Sequence, residues 1–247
     1  MDGSGFTIAL VVGAYLLAGL VKGVMGMGLP QVSLGILASV MAPAQAAAIL
    51  IAPSFATNIW QMVTGPYLLA LTRRLGGMLI GLFVGAWLGA GILTGANAKP
   101  AALGLGLVLV LYALMGLAKI KFTVSRRSEI WLGPIVGLAT GYIMAATGVF
   151  VMPALAYLQA IGLEKEELVQ ALGLHFTLST VALTFVLWGG GAFDTSLGLL
   201  SLFAIAPALI GMYIGQHIRR RISVETFRLC FFGGILLIGL QLAWRNI

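Results

Sequence analysis

Eight stretches of this chain are apolar for long enough to cross a lipid bilayer, and that governs what it can fold into. They run over residues 6–41, 44–64, 76–94, 101–118, 130–160, 168–189, 197–217 and 226–243. A helix needs roughly 20 such residues to span the hydrocarbon core. Only 9% of the residues are charged, against about 25% in a soluble domain, so a water-soluble fold could not bury the remainder. The runs do not alternate in polarity as the short strands of a membrane barrel do. The expected fold is an all-α polytopic membrane protein.

The first and fifth runs are too long for one crossing, and each carries glycine and proline near its middle. In the first, Gly19–Pro30 reads "GLVKGVMGMGLP". Pro30 lacks an N–H and tends to stop or kink a helix. Gly23, Gly26 and Gly28 weaken helix and let backbones approach closely. At membrane depth a broken helix must turn its freed backbone groups towards protein or a wet cavity. Its exposed N–H groups and positive dipole end suit an anion, and Lys22 adds a full positive charge. Ionisable residues inside a membrane are functional hypotheses by default. The spacing therefore predicts a small-anion site at Lys22, Gly26, Gly28 and Gln31, with Pro30 as the helix break. Snorkelling of Lys22 and tight glycine packing explain the same residues without a ligand.

The two halves resemble each other. "GLVKG" at 19–23 matches "GLATG" at 137–141, and "GLFVG" at 81–85 matches "GMYIG" at 211–215. In each broken run a glycine-containing stretch follows the motif and leads to a proline, Pro30 or Pro153, with Gly148 ahead of the second. The expectation is one membrane domain over 1–247, built of a first repeat, 1–121, and a second, 128–247. Charge then bears on topology. If all eight runs cross once, the loop cations divide seven against six. If the two broken runs each return to the face they entered, Arg73, Arg74, Lys119, Lys121, Arg126, Arg127, Lys165, Arg219, Arg220, Arg221 and Arg228 share one face, and only Lys99 and Arg245 lie opposite. Cytoplasmic loops are enriched in Lys and Arg, so the returning arrangement is favoured. It makes the halves inverted repeats with broken or re-entrant first segments, a recurring transporter plan.

Two further runs carry polar residues. In Ala52–Gly65, Ser54, Thr57, Asn58 and Gln61 share one helix face, and Asn58 and Gln61 could donate to an anion's oxygens. In Gln170–Leu183, His175 and Thr177 are the candidates, His175 as ligand or protonatable switch. Helix-to-helix hydrogen bonding accounts for such residues equally well. All seven acids, Asp2, Glu129, Glu164, Glu166, Glu167, Asp194 and Glu225, lie at termini, in loops or at segment ends. That argues against a carboxylate-lined cation site or metal. The single Cys230 permits no disulfide within the chain and no CxxC motif. No cofactor is expected, and the net charge of +7 belongs to loops that set orientation, so no nucleic-acid partner is expected either. Without a basic stretch before the first run, no cleaved signal peptide is expected.

The motif G-x-x-K-G-x-x-G-x-G-x-P, filled here by Gly19, Lys22, Gly23, Gly26, Gly28 and Pro30, resembles the signature of the TauE/SafE family, the sulfite exporter-like permeases of the 4-toluene sulfonate uptake permease superfamily. The second half keeps Gly141, Gly148 and Pro153 but has Val149 and Phe150 where the family is glycine-rich. The resemblance covers nearly the whole chain. It implies a transporter of small, often sulfur-containing anions such as sulfite, sulfoacetate or other organosulfonates; a lysine-based anion site with no coupling acid leans towards secondary export, which an inside-negative potential favours. The resemblance also implies a multi-pass protein of the cell (inner) membrane, with the substrate anion and the bilayer as partners; a homo-oligomer is compatible with it. No nucleophile motif or mid-membrane acid supports an enzyme. A channel, or an accessory subunit without its own substrate site, is the alternative.

Overall fold

The computed structural model describes residues 3–95, 98–118, 123–219 and 223–246. Asp2, Lys119, Lys121, Arg220 and Arg221 lie outside them. Eleven helices and no strand are present among the described residues: α1 (Gly3–Met25), α2 (Leu29–Leu37), α3 (Pro43–Val63), α4 (Leu68–Leu88), α5 (Ala98–Ala118), α6 (Arg126–Thr147), α7 (Ala154–Ala160), α8 (Lys165–Gly189), α9 (Thr195–Phe203), α10 (Ile205–Ile218) and α11 (Val224–Arg245). Eight spans are long and apolar enough to cross a membrane, α9 and α10 together forming one of them. The protein is a multi-pass membrane protein. All five tryptophans, Trp60, Trp87, Trp131, Trp188 and Trp244, are exposed and lie near helix ends, the positions of interfacial aromatic belts.

Helix α4 begins earlier than the apolar pattern suggests. It runs through Arg73 and Arg74, which the hydropathy reading leaves in a loop, because Arg74 finds a carboxylate partner inside the protein. Proline explains two irregularities. Pro207 cannot donate to the preceding turn, and the helix is interrupted just ahead of it, at Ala204. Pro53 lies inside α3, where the Ala52 N–H donates to Ser201 Oγ at 3.0 Å.

The chain divides into two compact units. One comprises Met1–Pro53, Ala96–Lys119 and Ala192–Ile247; the other comprises Ser54–Gly95 and Ile120–Gly191. Each draws on both halves of the sequence, and the boundary within α3 falls at Pro53. In the first unit α1 lies along α10. A Cβ on Gly19 would fall on the Ala208 carbonyl oxygen and one on Gly23 on that of Met212, while Gly211 and Gly215 face the carbonyls of Leu16 and Leu20. In the second unit α4 lies along α6 in the same manner. Gly81 and Gly85 face the carbonyls of Pro134 and Leu138, and Gly137 and Gly141 those of Met78 and Leu82. The two glycine motifs that repeat in the sequence are thus packing partners, each motif of one half seated on the other motif of the opposite half. Close backbone approach of this kind drives helix association where the hydrophobic effect between helices is absent.

Both broken segments return towards the end at which they start. In the first unit, Gly28 lies against Phe231, and Gly35 against Ile238. The Ser39 carbonyl accepts from Arg245 Nη1 at 2.9 Å. Helix α2 therefore runs beside α11 in the same direction, and back along α1. At nine residues it is about 13 Å long, too short to cross. In the second unit the Val124 N–H donates to the Ala160 carbonyl at 2.8 Å, so the end of α7 sits beside the start of α6. Arg74 secures the same point, donating from Nη2 to Ile161 O at 2.7 Å while pairing with Glu129 in the first turn of α6.

Candidate functional site

In the first unit, the break between α1 and α2 gathers Lys22, Gly26, Gly28, Pro30 and Gln31. Lys22 lies in the last turn of α1 and is only 4% exposed. The Gly26 N–H donates to the Lys22 carbonyl at 2.7 Å, closing the helix with a left-handed residue at φ 78°, the usual glycine C-terminal cap. A Cβ on Gly26 would meet nothing within 4 Å, so the residue is required for its backbone angle and leaves open space beside the break. Gly28 is required on both counts. Its φ is 105°, and a Cβ would lie 2.7 Å from Val21 Cγ1 and 3.2 Å from the Phe231 ring.

Gly28 precedes α2 as its N-terminal cap position, and no side chain caps the helix. Its first-turn N–H groups have no intrahelical acceptor, and they form the positive end of the helix dipole. Gln31, in that first turn, has 0% exposure, and both its Oε1 and Nε2 lack a hydrogen-bond partner. An unsatisfied buried amide costs about 1–3 kcal/mol, which a protein rarely carries without use. Neighbouring aromatics seat the break. Tyr112 Oη donates to Met27 Sδ at 3.8 Å, and Tyr112 packs edge-on against Phe231 and Phe232. The sequence gives no sign of this cradle, because aromatics in apolar runs read as ordinary core.

The second unit holds the other break. Gly148 ends α6 at φ 79°, its N–H on the Met144 carbonyl at 2.7 Å. Val149, Phe150 and Val151 follow as buried, non-helical chain, and Pro153, after a cis bond from Met152, caps α7. The break thus forms with Val149 and Phe150, not glycines, after Gly148. Counted back from the glycine that closes the helix, the position of Lys22 is held here by Met144; counted from the glycine motif it is held by Thr140, whose hydroxyl donates to Val136 O.

His175 on α8 reaches this break. Its Nε2 lies 2.8 Å from the Phe150 carbonyl oxygen. A carbonyl only accepts, so Nε2 carries a proton, and in the neutral ring Nδ1 then presents a lone pair. Nδ1 is buried without a partner, as are Ser179 Oγ one turn along α8 and Ser54 Oγ on α3. The other candidates are engaged by backbone. Thr177 Oγ1 donates to Gly173 O at 2.7 Å, and Gln61 Nε2 donates to Val169 O at 2.9 Å, where α3 and α8 touch. Asn58 is buried on α3. Gln170 is structural: it accepts from Tyr67 N and donates to Met62 O and Gly65 O, holding the turn between α3 and α4. Among the described residues no three of His, Cys, Asp or Glu lie close enough to hold a metal.

Residues 11–242 match the family model described as Sulfite exporter TauE/SafE. The chain belongs to the TauE/SafE family. The match covers both breaks and all the candidate residues, and it makes the protein a membrane transporter of the exporter type. No curated protein and no solved structure matches the chain.

Proposed function

We propose that this TauE/SafE protein exports a small anion, a sulfur oxyanion such as sulfite or an organosulfonate such as sulfoacetate, by secondary transport across the cell (inner) membrane. The observation that carries this reading is Gln31. Its wholly buried amide has neither atom bonded, in the first turn of an uncapped helix that follows Lys22 across the break. Donor amide, free first-turn N–H groups and a cation are the chemistry that replaces the hydration of an oxyanion. Lys22, Gly26, Gly28 and Gln31 are assigned as ligands on that ground, with Pro30 fixing the break. Asn58, Gln61, His175 and Thr177 are assigned to the polar faces of α3 and α8, with Gly148 and Pro153 forming the second break.

The returning paths of both broken segments support the arrangement in which eleven loop cations share the cytoplasmic face and both termini face outward. The crossed packing of the glycine motifs supports a duplication, with repeats at 1–121 and 128–247. An inside-negative potential favours anion export by about 2.3 kcal/mol per charge per 100 mV, so no further driving ion is required for this direction. Proteoliposomes preloaded with radiolabelled sulfite or sulfoacetate test the reading. Saturable efflux, accelerated by an outward-driving potential and competed by other sulfonates, is expected. Efflux that never saturates indicates a channel, and none at all indicates an accessory subunit.

A further inference from the structure

The buried imidazole of His175 is not absorbed by the oxyanion site at the first break. It lies at the second break, its ring fixed by two observations. Nε2 is held on the Phe150 carbonyl, and the imidazole packs against Phe176, whose ring in turn meets Phe150. In the neutral ring this orientation leaves Nδ1 as a buried acceptor with no donor, and the Ser179 hydroxyl one turn along α8 is likewise buried and unpartnered. A bare lone pair repels an oxyanion. The same nitrogen, once protonated, donates to one.

We propose that His175 is a proton-binding site of the transport cycle, taking up one proton at Nδ1 together with the substrate anion and releasing both on the far side. The proposal rests on the transport reading above and adds its coupled ion. Among the described residues of the elements packed around it, nothing else supplies the charge. On α4 the ionisable groups are Arg73 and Arg74, near its start, and Arg74 is committed to Glu129. On α6 they are Arg126, Arg127 and Glu129 in the first turn, and Tyr142, which is 46% exposed. On α7 the only one is Tyr157, whose hydroxyl lies beside Gly133, two turns from the start of α6. The part of α3 in this unit has none, and those of α8 itself, Lys165, Glu166 and Glu167, form its first turn. His175 stands ten residues further on, about 15 Å along the helix. The proton comes from water on the side where the anion enters and returns to water where it leaves. A dianion so accompanied crosses with one net negative charge, and the inside-negative potential still favours its export.

The protein has two histidines, so in the His217→Gln variant the 15N spectrum of labelled histidine reads His175 alone. His217 is exposed, with Nδ1 on its own helix's Tyr213 carbonyl, and its loss leaves the core intact. Without ligand, Nδ1 is expected unprotonated and Nε2 protonated. Sulfoacetate added at constant pH is expected to protonate Nδ1. In proteoliposomes carrying an internal pH dye, sulfoacetate movement is expected to carry one proton per anion, and His175→Gln to abolish the proton movement. Nδ1 that is protonated before ligand arrives, or that stays bare when sulfoacetate binds, overturns the proposal. So does sulfoacetate transport without protons, or proton movement that persists in His175→Gln. Absence of sulfoacetate, sulfite and thiosulfate movement in the parent overturns the transport reading itself, and the coupling with it.

Discussion

Arg74 grips Glu129 with both arms of its guanidinium, Nε to Oε2 at 2.9 Å and Nη2 to Oε1 at 2.7 Å. Both side chains are largely buried, at 18% and 8% exposure. Removing one partner strands the other charge, and for buried pairs that costs about 3–5 kcal/mol. Arg74→Ala is expected to lose about 3 kcal/mol in a reversible detergent unfolding titration, since some water reaches the pair. The double variant Arg74→Met with Glu129→Met should recover most of the loss. Equal stability of Arg74→Ala and the parent would refute the tie.

The glycine motifs give a paired prediction. A Cβ at Gly85 or Gly137 would enter the carbonyl of Leu138 or Met78, and backbone cannot step aside as a side chain can. Gly85→Ala and Gly137→Ala are each expected to lose about 1–3 kcal/mol, the range of overpacking. At Gly13 and Gly76 a Cβ meets nothing within 4 Å. There alanine is expected to be neutral or to gain up to about 1 kcal/mol from helix propensity. The same unfolding titration separates the two classes, and similar losses at all four positions would contradict the packing.

Gln31→Met removes an unsatisfied buried amide while nearly keeping its shape. Such a replacement is neutral or stabilising when the group serves only the fold. The expected outcome is a thermal midpoint equal to or above the parent's, with transport reduced roughly tenfold, or about 1.4 kcal/mol of lost affinity. Unchanged sulfonate transport in a stable Gln31→Met protein would remove Gln31 from the site.

Much of this was legible in the sequence. The spans follow from length and hydropathy, and both breaks follow from glycine and proline. Their closure by Gly26 and Gly148 in the left-handed conformation is what glycine there is for. The partners of the glycine motifs were not legible. A small-residue pair announces that a backbone can come close, not which backbone, so the crossed pairing of α1 with α10 and α4 with α6 had to be seen. Nor does the residue type reveal which polar groups remain available. Thr177 and Gln61 each donate to a backbone carbonyl, of Gly173 and Val169, whereas Ser54 and Ser179, less conspicuous in sequence, keep unpartnered hydroxyls. Helix hydroxyls readily bond the carbonyl one turn back, and only geometry tells which do.

Asp194 caps α9, accepting from Leu197 N at 2.8 Å and from the Ser196 hydroxyl. The Ser196 hydroxyl, followed by the Leu197 amide, holds its carboxyl below the ordinary carboxylate range. A lowered value in the folded state means that the cap contributes above the unfolded value of about 4 and is lost as pH falls through the folded one. Asp194→Ala is therefore expected to melt below the parent at pH 7, the difference closing as the pH is taken below 4. A gap independent of pH would show that the carboxylate charge plays no part.

The central claim is that Lys22 and the break beside it bind a sulfur-containing anion. Ligand that binds only the folded protein must raise its thermal midpoint. The most direct measurement is the midpoint of the purified protein, and of Lys22→Met, across sulfite, sulfate, thiosulfate, sulfoacetate, taurine, acetate, simple cations and neutral amino acids at fixed ionic strength and pH. Selective stabilisation of the parent by sulfur oxyanions or sulfonates, absent in Lys22→Met, is the predicted result. Stabilisation by cations alone, by nothing in the series, or equally in Lys22→Met would contradict it.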